Sequence, residues 1–162
     1  MRFIIVRHGE AEYHNEDDTR KLTPRGRKEA ESTGRFLNYL NVKPRYIIHS
    51  IKERSHATAL IISEILNATN GLHFEKNAGP DGDLHHIMDI VMNVEDPVIL
   101  VSHIPLVNKI SNYLLSGDHT RTILRFDTGT VLILDRNNNF KSGHISNQWR
   151  IYSFLKPLDC GY

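Results

Sequence analysis

Phe3-Ile4-Ile5-Val6-Arg7-His8-Gly9-Glu10 is the stretch that decides the fold. Four apolar residues make a buried strand, which breaks at once into a cation, an imidazole and a glycine turn. In open α/β sheets the carboxyl edge of the strands is where ligands bind. The pattern recurs twice. Tyr46-Ile47-Ile48-His49-Ser50 runs into Arg54, and Pro97-Val98-Ile99-Leu100-Val101-Ser102 runs into His103. Three strand ends thus deliver two arginines and two histidines, a set suited to gripping and attacking a phosphoryl group.

The segments between these strands read as helices. Leu22-Thr23-Pro24 opens one, with Thr23 as N-cap and Pro24 at the first helical position, where its missing N–H costs nothing. It runs to about Leu40, with Ala30, Thr33, Gly34, Leu37 and Leu40 on one face. Asn41 to Arg45, which contains Pro44, closes it. A second helix is expected from about Glu53 to Leu66, with Ala57, Leu60, Ile61, Ile65 and Leu66 at helical spacing and Arg54 in its first turn. Asn67 to Asp83 is turn-rich, and a short helix follows from Leu84 to about Asn93. The strand before His103 is near-continuously apolar, the pattern of a strand covered on both faces of a parallel sheet. Pro105 marks a further helix to about Leu115. Ile123 to Leu134 and Phe140 to Phe154, separated by Asn137-Asn138-Asn139, suggest a long antiparallel hairpin. The expected architecture is one three-layer α/β/α domain over residues 1–162, with a mostly parallel central sheet.

Bulk properties narrow the function classes. The chain has 162 residues, 40% hydrophobic and 24% charged, enough to bury a core without disulfides or a structural metal. Its net charge of +1 gives no overall field toward nucleic acid or anionic lipid. The single cysteine, Cys160, cannot form an internal disulfide, which favours a reducing compartment. No run approaches the roughly 20 apolar residues of a membrane span, and the start does not pattern as a secretory leader. A cytoplasmic protein without nucleic-acid or membrane partners is expected. Neither a metal nor another cofactor is expected. Of the ten histidines, His85 and His86 are adjacent and diverge by about 100° on a helix. There is also no His-Glu-x-x-His, no paired cysteine motif and no nucleotide-binding glycine motif. His14, His49, His56, His73, His119 and His144 read as surface or hydrogen-bonded residues. Ser50 and Ser102 read as turn residues that pair with backbone, since no Gly-x-Ser-x-Gly elbow surrounds them.

Arg7-His8-Gly9-Glu10-Ala11, Leu22-Thr23-Pro24-Arg25-Gly26, Ser50 with Arg54 and Ala57-Thr58-Ala59, and Val101-Ser102-His103 resemble, in order and spacing, the blocks of the histidine phosphatase superfamily. The resemblance runs to about residue 115, and Phe126-Asp127-Thr128-Gly129-Thr130 looks like the family's late strand. The short length and Gly79-Pro80-Asp81-Gly82-Asp83 look most like the bacterial phosphohistidine phosphatases of the SixA type. The resemblance implies a phosphoglycerate mutase-like fold. It also implies a phosphatase whose second histidine, His103, binds the phosphoryl group, with Arg7, Arg54 and Gly9 completing that site.

The chemistry of the residues agrees. His8 is the expected nucleophile, forming a phosphohistidine that water hydrolyses. It must then be neutral, with one ring nitrogen free and the other held as N–H by an acceptor such as a nearby backbone carbonyl. Flanking cations should lower its pKa below the reference of about 6.5. Arg7 and Arg54 offer planar forks for phosphoryl oxygens, and His103, at a helix start, offers an N–H. For a proton donor to the leaving group the chain offers Glu75, Asp81 and Asp83, with Asp83 equally suited to cap the following helix. A phosphohistidine substrate reduces the need for such an acid, because its leaving imidazole can be protonated near neutral pH. The expected partner is a phosphohistidine-bearing protein, either a histidine phosphotransfer domain or a phosphotransferase component; the oligomeric state is left open. A small-molecule phosphomonoesterase that depends on Asp81 or Asp83 is one alternative. A module that binds phosphoproteins without turnover is another, and a mutase would want a more enclosed site.

Overall fold

The computed structural model describes residues 1–13, 16–120, 122–137, 144–145 and 148–162. Its strands are β1 (Arg2–Arg7), β2 (Tyr46–His49), β3 (Leu72–Phe74), β4 (Val98–Ser102), β5 (Val131–Arg136) and β6 (Trp149–Leu155). Its α-helices are α1 (Pro24–Tyr39), α2 (Glu53–Ile65), α3 (Leu84–Met92) and α4 (Leu106–Ser116). The strands form one sheet in the order β3-β2-β4-β1-β5-β6. The β3-β2, β2-β4 and β4-β1 pairs are parallel, while β5 and β6 add antiparallel. Arg7 pairs with Ser102, so β1 and β4 end level, and β2 ends one residue earlier, with His49 opposite Val101. His8 and His103 therefore leave the sheet at one height, and Ser50 leaves it one residue below them.

Side-chain alternation builds the layers. On one face Phe36 and Leu37 of α1 and Ala59 and Ile62 of α2 pack on Ile4, Val6, Ile47, Ile99, Val101 and Ile133. On the other, Ile87 and Val91 of α3 and Val107, Ile110 and Leu114 of α4 pack on Phe3, Ile5, Ile48, Val98, Leu100 and Leu132. β4 is buried along its whole length, as its unbroken apolar run requires. Thr23 caps α1 by accepting a hydrogen bond from the Gly26 amide at 3.0 Å. Among the described residues, no helix is long and apolar enough to cross a membrane.

Three expectations change. Leu72–Phe74 forms an edge strand inside the stretch read as turns; its His73 and Phe74 side chains are exposed, and three residues are too few to set a period. The buried face of α2 is rotated from the expected one. Ala57, Leu60, Ile61 and Ile65 are only half-buried, while Ser55, Thr58, Ala59, Ile62, Ser63 and Leu66 face inward. Third, β5 begins at Val131 and not at Ile123, because the chain turns at Gly129, whose φ is 71°, before it can join the sheet. The antiparallel pairing of the hairpin is present, from Val131 opposite Leu155 to Arg136 opposite Trp149. Its expected turn at Asn138-Asn139, the start of its second strand at Phe140, and His14 lie outside the described residues.

The loop after β1 is pressed against the first turn of α1. A Cβ on Gly26 would lie 1.9 Å from the Glu10 carbonyl oxygen, and one on Gly9 would lie 2.3 Å from the Gly26 carbonyl oxygen. Both obstructions are backbone atoms, which cannot rotate away. Gly26→Ala gains about 1 kcal/mol of helix propensity but forces the two segments apart, at an overpacking cost of about 1–3 kcal/mol or more. A net loss of stability in urea unfolding is expected; an unchanged or raised midpoint would contradict this packing.

Candidate active site

The loop 8–23 starts from β1 and is closed by a bridge between Ala11 and Leu22, with the Thr23 amide donating to the Glu10 carbonyl at 3.0 Å. His8, at its base, is buried. Its Nδ1 lies 2.7 Å from the Gly9 carbonyl oxygen, which can only accept, so Nδ1 carries the proton. Nε2 is left as the lone-pair nitrogen and accepts a hydrogen bond from Arg54 Nε at 3.2 Å. Burial, followed by the charges of Arg54 and Arg7, pushes the His8 pKa down to about 3. At neutral pH the imidazole is uncharged.

Arg54, in the first turn of α2, is buried except for its outer edge. Its Nη1 donates to the Asp17 carbonyl at 2.6 Å, and its Nη2 lies 3.1 Å from the Asp17 carboxylate. Lys52 bonds the same carboxylate and also Asp18 at 2.8 Å. The hydrogen bond from Lys52, then that from Arg54, holds the Asp17 carboxyl well below the usual carboxylate range. Arg7 reaches across with Nη1 donating to the Phe126 carbonyl at 2.7 Å; its Nε is buried without a partner among the described residues.

The His103 ring centre lies 4.8 Å from that of His8, tilted by 53°. Burial, and then the neighbouring His8 and Arg54, hold its pKa far below the ordinary histidine value. Arg7, His8, Arg54 and His103 line a single pocket of about 340 Å³, together with Glu10, Arg20, Pro80, Ile104 and Thr128. The structure thus brings the four together. Such a pocket offers charge and N–H donors to an anion, beside a neutral nitrogen lone pair.

Other expected residues fall elsewhere. Gly9 does not line the pocket: its amide donates to Thr58 Oγ1 at 3.1 Å, and its small size serves the contact with Gly26. Asp83 caps α3, accepting from the His85 amide at 2.8 Å, and neither it nor the exposed Asp81 lines the pocket. Glu75 accepts from the Asn77 amide and pairs with His86. Its burial raises the pKa, but these partners outweigh that and hold it below the usual range. The acid that does line the pocket is Glu10, which accepts from the Thr23 hydroxyl at 2.8 Å. Ser102 pairs with backbone, donating to the Ala78 carbonyl at 2.7 Å. Ser50 also pairs with backbone, accepting from the Lys52 amide at 3.3 Å, and in addition its Oγ lies 2.7 Å from His103 Nε2. Among the described residues, no group of three or more histidine, cysteine or acidic side chains is placed to hold a metal ion.

Several supporting residues escape sequence reading. The Ser55 hydroxyl donates to the Val101 carbonyl and accepts from the Ser50 amide, joining α2 to the ends of β4 and β2. Thr58 joins α2 to the loop after β1. The buried carboxylate of Glu29 accepts from the Glu10 amide, the Thr128 hydroxyl and Lys156 Nζ, at 2.8, 3.2 and 2.7 Å. Arg20, whose Nε donates to the Glu12 carbonyl, adds a third guanidinium to the rim. Thr58 sits inside a quoted block, but Asp17, Glu29 and Lys156 give no signal without the tertiary contacts.

The strand order and the helices on both faces match the fold of solved histidine phosphatases. The family model "Histidine phosphatase superfamily (branch 1)" matches residues 3–76. The matched part carries Arg7, His8 and Arg54. Residues of this chain are 47% identical over 60 positions to the mitochondrial serine/threonine-protein phosphatase Pgam5 of Drosophila yakuba, a match covering 36% of this chain and 21% of that relative. The fold is similar to that of the protein histidine phosphatase SixA solved with tungstate, with a TM-score of 0.84 over 99% of both chains at 21% identity. It is also similar to a phosphoserine phosphatase mutant from Entamoeba histolytica, with a TM-score of 0.71 over 96% of this chain and 97% of that one at 14% identity.

The depressed His8 pKa links the site to stability. An unfolded histidine takes up its proton near pH 6.5, while folded His8 resists it down to about 3. Acidification through that window therefore favours the unfolded chain, by up to about 1.4 kcal/mol per pH unit for each such histidine. The depressed Asp17 acts in the same direction, but only below its unfolded pKa of about 3.9. Unfolding free energy should fall from pH 6.5 to 4.5, and His8→Gln should flatten that slope by about one histidine's share. Parallel slopes for the two proteins would rule out a buried neutral His8.

Proposed function

We propose that this chain is a phosphohistidine phosphatase that needs no metal and acts on phosphohistidine in signalling or phosphotransfer proteins through a covalent intermediate on His8. The observation that carries this reading is the fixed tautomer of His8, with Nδ1–H on the Gly9 carbonyl and an uncharged Nε2 beside Arg54. Nucleophilic attack requires that lone pair. As a phosphoryl group enters, Arg54 Nε–H transfers its hydrogen bond from Nε2 to a phosphoryl oxygen, which frees the lone pair and binds the anion. The Nε2–P bond forms while the bond from phosphorus to the substrate nitrogen breaks, and the leaving imidazole takes a proton from solvent. Water then attacks the phosphoenzyme, releasing inorganic phosphate and restoring neutral His8. Arg7 and Arg54 stabilise the equatorial oxygens in both steps.

Of the acids, Glu10 lines the pocket, so the choice of leaving group does not rest on the lack of one. Glu75 is engaged elsewhere, Asp83 serves as a cap, and Asp81 lies off the pocket. A phosphohistidine leaving group can be protonated near neutral pH with or without such an acid. The fold of a protein histidine phosphatase over nearly the whole chain agrees with a phosphohistidine substrate.

The test is phosphate release from a labelled phosphohistidine-bearing phosphotransfer protein, with chelator present. The wild type should release phosphate, and His8→Ala should lose about 10³-fold or more. Alkaline quenching should trap label on the wild-type enzyme alone. Substantial turnover by folded His8→Ala would overturn the assignment. Efficient turnover of small phosphate esters only would move the substrate class. Because folded His8 stays neutral far below 6.5, kcat/KM should show no acid limb at the ordinary histidine pKa of about 6.5.

A further inference from the structure

Ser50 is fully buried, and its Oγ has two partners among the described residues. It accepts from the Lys52 amide at 3.3 Å and lies 2.7 Å from His103 Nε2. The other ring nitrogen, His103 Nδ1, is buried at the pocket wall with no hydrogen-bond partner among the described residues.

A serine hydroxyl carries one proton and two lone pairs. Suppose first that His103 holds its proton on Nε2. Oγ then accepts from both Nε2 and the Lys52 amide, and its own proton is buried with no acceptor. Nδ1 is left as a bare buried lone pair, the wrong polarity for an anion. Suppose instead that the hydroxyl donates to Nε2. Every hydrogen-bonding group on Ser50 but one lone pair is in use, and Nδ1 carries the proton. The first arrangement leaves two buried groups unsatisfied and the second leaves one, an N–H donor, and each such group is costly.

We propose that Ser50 is a positioning residue: its hydroxyl donates to His103 Nε2 and fixes His103 as the Nδ1–H tautomer, an uncharged donor for a phosphoryl oxygen. The identity of that ligand rests on the phosphatase reading above, while the tautomer stands on the protein's own hydrogen-bond geometry. Two histidines of one pocket then share the same tautomer but use opposite nitrogens. His8 turns its proton away to the Gly9 carbonyl and offers a lone pair, whereas His103 accepts a hydrogen bond from the serine hydroxyl at its far nitrogen and offers an N–H.

Two-bond ¹H–¹⁵N spectra of the histidine-labelled protein test this directly, with His103 assigned from the signal lost in His103→Gln. The wild type should show His103 protonated on Nδ1 and bare on Nε2. Folded Ser50→Ala should move toward the Nε2–H form and bind orthovanadate about tenfold more weakly, the size of one hydrogen bond to an anion. Ser50→Thr, which keeps the hydroxyl, should retain the wild-type tautomer. An Nε2–H signature in the wild type, or an unchanged tautomer in folded Ser50→Ala, would overturn the role given to Ser50. If Ser50→Ala does not fold, the wild-type spectrum decides alone. An Nδ1–H signature in a protein that neither binds vanadate nor releases phosphate would uphold the Ser50 assignment and overturn the phosphatase reading.

Discussion

The pocket depends on keeping positive charge on guanidinium groups and off the imidazoles beside them. Two histidine rings 4.8 Å apart, flanked by Arg7 and Arg54, could not both be protonated in a buried space. Arginine cannot release its proton under ordinary conditions, so the histidines must. Burial first, and then the same field that attracts an anion, keep the His8 lone pair free of a proton. Asp17 tempers that field from outside. It sits on the outer edge of Arg54 and shares Lys52, so the guanidinium is held in place without a carboxylate touching His8.

Local fold and site are joined through hydroxyl groups. The first turns of α2 bury Ser55 and Thr58 where apolar residues would serve packing better, and both reach backbone atoms of other segments. A buried hydroxyl bonded on both sides has a fixed direction, which an aliphatic contact lacks. Arg54 inherits that direction because it lies on the same turn. Glu29 plays the corresponding part for the loop after β1, holding the Glu10 amide and the Thr128 hydroxyl from within α1. Lys156 supplies its counter-charge, since a buried carboxylate left alone would be costly.

What could be read from the sequence follows from what periodicity records. Strand ends, helix starts and the four pocket residues are local features, and β1, β2, β4 and all four helices stand within a few residues of where the pattern puts them. Thr23 and Pro24 mark the start of α1 by their own chemistry. The face of α2 was harder, because hydrophobicity ranks Leu60 and Ile61 above Ser55 and Thr58, and only the strand ends need those hydroxyls. β3 is an exposed three-residue edge whose one reason for being a strand is its partner β2. Asp17 and Lys52 look like ordinary solvated charges until the loop and α2 meet. The role of Ser50 is invisible for the same reason, as its partner lies 53 positions away.

The strand order has a consequence for how the chain must assemble. β1 carries Arg7 and His8, yet it pairs with neither β2 nor β3. Its partners are β4 and β5, so that Phe3 finds Val98 on one side and Leu134 on the other. The first of the six strands in sequence order is thus one of the two at the middle of the sheet, and it stays unpaired until β4 and β5 have been made. Contacts of such long range slow folding, because loop closure must come before any hydrogen bond rewards it. During that interval Phe3, Ile4, Ile5 and Val6 form an apolar segment with open edges, the kind that invites wrong partners. The arginine and histidine at its end are the charged and polar breaks that limit how far such mispairing could spread.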